Sequence, residues 1–138
     1  MNTRLQNGKE QIFCAWRHRW VRLTPEEWVR QQLLHYMTGQ LDYPASLIAV
    51  EKAIRIGDAV KRCDAVVYDA ALQPVMIIEC KAETVPLTQK TLDQAITYNR
   101  KLNVPFLLLS NGAQTICVNG NNNQSTGLPR YADLLRRE

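Results

Sequence analysis

The chain has no apolar run near the roughly 18 residues that a membrane-spanning helix requires. Its longest, Val104 to Leu109, is interrupted by Pro105. No apolar block with a small-residue cleavage site follows the first basic residues, so no secretory leader is expected and the protein is expected to be cytoplasmic. Cys14, Cys63, Cys80 and Cys117 never stand at CxxC spacing, and His18 and His35 form no HxxxH pair, so no structural zinc site is expected. Four reduced thiols filling small apolar spaces are the simpler expectation. Internal repeats are missing, and so is a GxxxxGK[ST] phosphate loop.

What remains is a chain of 138 residues, 46% apolar and 22% charged, the size and composition of one globular domain spanning 1–138. Lys and Arg number 17 against 13 Asp and Glu, a formal charge of +4. The excess sits at the start: Arg4, Lys9, Arg17, Arg19 and Arg22 face only Glu10 within residues 1–22. Phe13, Trp16, His18 and Trp20 interleave with these bases. Such an arm suits a phosphate backbone or stacked bases; it also suits a solvated edge whose aromatics pack into the core.

A helix is expected from Thr24, with Pro25 at the first helical position and Glu26 and Glu27 in the first turn. It should run to about Met37 or Thr38, bury Val29, Leu33, Tyr36 and Met37, and stop at Gly39. Strands are expected over about 47–56, 62–68 and 75–82, then a helix over about 88–102. A strand over 105–110, the Asn111-Gly112 turn and a strand over 115–118 complete the pattern. Residues 119–138 read as a polar loop (Gly120 to Gly127) and a short helix near Tyr131 to Arg137. The order α-β-β-β-α-β-β describes an α/β sheet with helices packed on it.

The third strand ends in Glu79-Cys80-Lys81. Alternation places Val75, Ile77, Glu79 and Lys81 on one face. If strands two and three form a hairpin through 69–74, Asp64 faces that charged end, and two carboxylates and a lysine converge at one sheet edge. Two carboxylates with a backbone carbonyl and waters suit Mg²⁺, which would polarise a phosphoryl group and acidify a bound water. Lys81 would then orient or deprotonate that water, or steady charge on phosphorus. The alternative is an Asp–Lys–Glu surface ion cluster of little energetic weight. Asp69, on the opposite strand face, belongs to the turn. Glu51 has no evident role.

Asp64 followed by Glu79-Cys80-Lys81 resembles the D…ExK signature of the PD-(D/E)xK nuclease superfamily, and the element order is similar to its common core. Gln94 and Tyr98, four apart on one helical face, resemble the QxxxY motif of its helicase-linked branch. The segments 23–31, 61–64, 79–82, 93–99 and 111–112 resemble the N-terminal nuclease domain of type I restriction enzyme R subunits, over about residues 20–118. The resemblance implies a restriction-endonuclease-like αβββαβ core, a mixed sheet flanked by helices. It implies a DNA nuclease using Mg²⁺, with Mn²⁺ as substitute, held by Asp64, Glu79 and the Cys80 carbonyl. Lys81 would be the catalytic lysine, with Gln94 and Tyr98 orienting it, the water or a phosphate; an amide and a ring merely packed over the sheet are the alternative. Glu27 would be an added acid from the first helix, or the second half of a capping box with Thr24. DNA would be the partner, with a helicase or translocase or a specificity subunit as companions. Since no motor motif is present, the expected forms are a free-standing nuclease, a piece of a longer protein, or a subunit that borrows its targeting. A non-catalytic DNA- or protein-binding module of the same fold is the competing expectation, and an oligomerisation or scaffold domain a third.

Overall fold

The computed structural model describes residues 1–120 and 123–135. Residues 3–22, expected as an arm, instead fold into an antiparallel sheet of β1 (Thr3–Gln6), β2 (Lys9–Cys14) and β3 (Arg19–Arg22). Its inner face buries Ile12 and Cys14. Helix α1 (Pro25–Gln40) starts where expected, with the Thr24 hydroxyl accepting the Glu27 N–H at 3.1 Å. It runs through Gly39 and is capped at Leu41, because the Leu41 N–H still reaches the Met37 carbonyl and nothing turns the chain at the glycine. Val29, Leu33 and Met37 are buried as expected, joined by Leu34; Tyr36 is exposed.

The main sheet has six strands in sequence order: β4 (Ile48–Ile56), β5 (Ala59–Tyr68), β6 (Pro74–Cys80), β7 (Phe106–Ser110), β8 (Thr115–Asn119) and β9 (Gln124–Thr126). All neighbours are antiparallel except β6 and β7, which are parallel and joined through α2 (Gln89–Leu102). A parallel neighbour cannot be reached by a tight turn, so the crossover helix is the physical consequence. β9 lies where a polar loop was expected: the Asn119 N–H bonds the Asn123 carbonyl, and edge pairing to β8 holds a strand without any apolar face. Residues 121 and 122 of that loop, and Arg136 and Arg137 of the expected last helix, lie outside the described residues; α3 is Tyr131–Leu134.

The sheet separates two cores. Val29, Leu33, Leu34 and Met37 of α1 pack on Ala65, Val67, Met76, Ile78 and Leu108. Leu92 and Leu102 of α2 pack on Val66, Ile77, Leu107, Leu109 and Val118. This is a mixed sheet flanked by helices, as expected. One correction concerns Val75. A bulge pairs Val67 with Met76 but Tyr68 with Pro74, so Val75 joins Met76 in the α1 core and does not share the face of Ile77. α3 closes the α1 side through buried Leu134; the Tyr131 hydroxyl donates to the Tyr68 carbonyl at 3.0 Å, and that of Tyr43 to the Pro129 carbonyl at 2.9 Å.

Among the described residues no helix is long and apolar enough to cross a membrane. All four cysteines are free and buried; burial pushes the Cys117 thiol up to about 11 and that of Cys63 up to about 12, which leaves them inert as nucleophiles.

Candidate active site

The end of β6 carries the site. Ala65 pairs with Ile78, so Asp64 stands opposite Glu79. The pairing of β4 with β5 skips this level: Val50 meets Ala65 and Lys52 meets Cys63, while Glu51 adopts φ +54°. A non-glycine residue in the left-handed region inside a strand is strained. At the same level the alternation of β5 slips, since Cys63 packs on the α2 side and Ala65 on the α1 side. Asp64 thereby comes to line a groove on the α1 side with Arg30 and Cys80.

Glu79 and Lys81 line a cavity of about 110 Å³ on the α2 side, beneath Gln94, Tyr98 and Asn99. The structure therefore brings Glu79, Lys81, Gln94 and Tyr98 into one cavity, while Asp64 lines the groove on the α1 side and meets the site through its coupling to Glu79. Asp64 Oδ2 accepts the Cys80 N–H at 2.6 Å, which fixes the carboxylate against the β6 backbone. The Lys81 N–H donates to the Ser110 carbonyl at 2.8 Å, so β7 fixes the backbone that carries the lysine. Asn111 holds the turn beyond: its amide donates to the Val85 carbonyl at 2.8 Å, and its Oδ1 accepts from the N–H groups of Ala113 and Gln114. Gly112 sits at φ +90°, a backbone conformation that strains any other side chain; a Cβ there would only touch the Val29 side chain, at 3.4 Å.

Burial raises the Glu79 carboxyl above its ordinary value, and the neighbouring Asp64 carboxylate raises it further; Lys61 opposes both. Lys61 Nζ lies 3.1 Å from Glu79 Oε1 and 4.8 Å from the centre of the Tyr98 ring. That oxygen is buried and has no aligned hydrogen-bond partner. Two acids pressed together, one of them buried and met by a single lysine, present the oxygen donors that a small oxygen-seeking cation takes. Among the described residues no set of three His, Cys, Asp or Glu side chains gathers as a fuller ligand cage. Sequence reasoning missed Lys61. Its position three residues before Asp64 was the available signal.

Glu27 is buried, and its N–H caps onto Thr24, but its carboxylate does not complete a capping box. It instead accepts from Arg17 at 2.6 Å, from Gln31 at 3.1 Å and from Arg30. Burial would raise this carboxyl, but its hydrogen bonds to Arg30, Arg17 and Gln31 outweigh that and hold it below the usual range. Arg30 also donates to the Asp64 carbonyl at 3.3 Å and stands 3.9 Å from Asp64 Oδ1. Glu51 completes the cluster, within 3.5 Å of Arg17, 3.6 Å of Arg30 and 3.5 Å of Arg62. Asp69 stays in its turn, accepting from the N–H groups of Ala71 and Gln73.

A mixed sheet between two helices, with acids and a lysine at the end of its central strand, defines a restriction-endonuclease-like fold. Residues 25–131 match the family described as type I restriction enzyme R protein N terminus (HSDR_N), and the chain belongs to it. No curated relative matches it. A solved fragment described as an HsdR subunit of a type I restriction enzyme from Vibrio vulnificus YJ016 is similar at TM-score 0.59 and 18% identity. That likeness covers 82% of this chain but 25% of the other, so the chain spans about a quarter of that relative. A protein from Anabaena variabilis ATCC 29413, described as a nuclease belonging to DUF820, gives 0.52 at 9% identity, covering 88% of this chain and 78% of that one. The DrdV–DNA complex gives 0.55 at 15%, covering 81% and 11%. At these identities the structures bear on the fold.

Proposed function

We propose that the chain is a Mg²⁺-dependent nuclease domain that hydrolyses phosphodiester bonds in DNA. The observation that supports it is buried Glu79, its carboxyl raised by burial and by the neighbouring Asp64, in the cavity that also holds Lys81, Gln94 and Tyr98. Asp64, Glu79 and the Cys80 carbonyl would hold Mg²⁺, with Mn²⁺ as substitute. When bound, the ion supplies Lewis acidity at the phosphoryl group and acidifies a ligand water. Lys81 positions the attacking water and steadies charge developing on the phosphate. Gln94 and Tyr98 fix the lysine or a phosphate oxygen from the roof of the cavity. Lys61 neutralises Glu79 when no cation is present. Glu27 is a positioning residue, acting on Asp64 through Arg30.

Supercoiled plasmid incubated with Mg²⁺ or Mn²⁺ tests the reading. The wild type nicks or linearises it, EDTA abolishes this, and Lys81→Ala remains folded and loses at least about 100-fold in rate. A Lys81→Ala protein that cuts normally would remove the lysine from the mechanism. In calorimetric titration Mn²⁺ binds the wild type and not the Glu79→Gln variant; no uptake by the wild type would favour a binding module of the same fold.

A further inference from the structure

The three-stranded sheet β1–β3 precedes residue 25, where the family match begins. The register places Arg4, Gln11 and Arg22 side by side across the three strands, with Phe13 beside Trp20 in the next row. Strand alternation adds Lys9 to the same face. Three cations and no acid share this surface, because Glu10 lies on the other side. Phe13 and Trp20 meet edge to face at 5.6 Å, and the Arg4 guanidinium lies 4.2 Å above the Trp20 ring. Both rings stay half-buried without entering the core.

The edge of this sheet opens toward the candidate site. Arg19, Trp20 and Arg22 line a groove of about 520 Å³ that also holds Arg30, Asp64 and the acids Glu26, Glu27 and Glu51. Arg17 and Arg30 in that groove are committed to Glu27 and Glu51. Arg19 and Arg22 have no ion pair among the described residues. A face of one charge sign, with aromatic rings and free guanidinium groups, is complementary to a polyanion that carries stackable bases.

We propose that the outer face of β1–β3 is a DNA-docking platform. Arg4, Lys9 and Arg22 engage backbone phosphates, and β3 directs the strand along the groove to Asp64. The platform rests on the nuclease reading only for that direction; the docking itself requires no metal. The occupant is single-stranded DNA, whose unpaired bases suit the Trp20 and Phe13 rings while its phosphates meet the cations; a duplex is the alternative that the test distinguishes.

The test is fluorescence anisotropy of the full chain in EDTA with a labelled 24-base-pair duplex and, separately, one of its strands. Substituting Lys9→Ala with Arg22→Ala, which leaves the Arg4–Trp20 stack in place, weakens binding to the single strand about 10-fold at 100 mM salt. It also lowers the salt slope by about two. Removing equal charge from the end of α2 with Arg100→Ala and Lys101→Ala leaves the slope unchanged. Trp20→Leu weakens single-strand binding and leaves duplex binding unchanged; a duplex bound as tightly as the single strand overturns the choice of occupant. Wild-type affinity in the Lys9/Arg22 variant, equal loss in the α2 control, or no binding by the wild type overturns the platform. Mg²⁺-dependent plasmid cleavage surviving such a result would leave the nuclease reading standing. Binding in EDTA without cleavage by the wild type would do the reverse.

Discussion

Buried Glu27 holds two guanidinium groups, and its loss leaves both with one partner fewer. Glu27→Gln should therefore destabilise the fold by about 3 kcal/mol at pH 7, read from urea unfolding. The carboxyl sits below its ordinary 4.5, so its contribution is fully present above pH 4.5 and disappears as pH falls through the folded value. The gap between wild type and Glu27→Gln must accordingly close on acidification. Glu79, raised instead, has the opposite sign but is common to both proteins and cancels in the comparison. Asp64, Glu79 and Lys81 stand out in the sequence because charge at the end of an apolar strand is costly unless used; that Asp64 opens onto the α1 side and the other two onto the α2 side is visible only in the fold. Lys61, Arg17 and Arg30 do not stand out, since a long cation is usually a solvated side chain and only the fold shows which acid it meets. Glu51 had no reading at all in the sequence; its left-handed backbone and three arginine neighbours supply one.

The elements that read clearly were those with a face to bury. β5 to β8 and α2 carry unbroken apolar runs or a helical stripe, and their ends fall within a few residues of expectation. β1 and β9 are short and polar and are held by edge pairing alone, so no hydrophobic period announces them. The bulge at Val75 was equally silent, because alternation is blind to an inserted residue. The end of α2 offers a sharper test. Asn103 caps the helix at φ 55°, its N–H on the Asn99 carbonyl. Asn103→Gly should hold or slightly raise stability, whereas Asn103→Val should cost about 1–2 kcal/mol, both measured by urea unfolding.

At the scale of the molecule, two cores share one sheet, and the N-terminal sheet, with Ile12 and Cys14 buried beneath it, is tied to α1 by the Arg17–Glu27 pair. The layering followed from the order of helices and strands; the place of β1–β3 did not, since nothing in residues 1–22 names the surface they cover. If that sheet is part of the same cooperative unit, Ile12→Ala should cost about 2–4 kcal/mol. Trp fluorescence, reporting on Trp16, Trp20 and Trp28, should then lose structure in the same transition as far-UV circular dichroism. Two separate transitions would show instead that the N-terminal sheet unfolds on its own.

The parallel pairing of β6 with β7 also sets an order of events. β4, β5 and β6 are hairpin neighbours and can associate by local contacts. β7 reaches β6 only after the chain has travelled through α2, and such distant pairings form late because loop closure precedes any reward. Glu79 and Asp64 can therefore meet in the early hairpin, while the carbonyl that fixes Lys81 and the helix that carries Gln94 and Tyr98 arrive with β7. A newly made chain then holds its acids together before it holds its lysine in place, and the candidate site is complete only when the middle of the sheet closes.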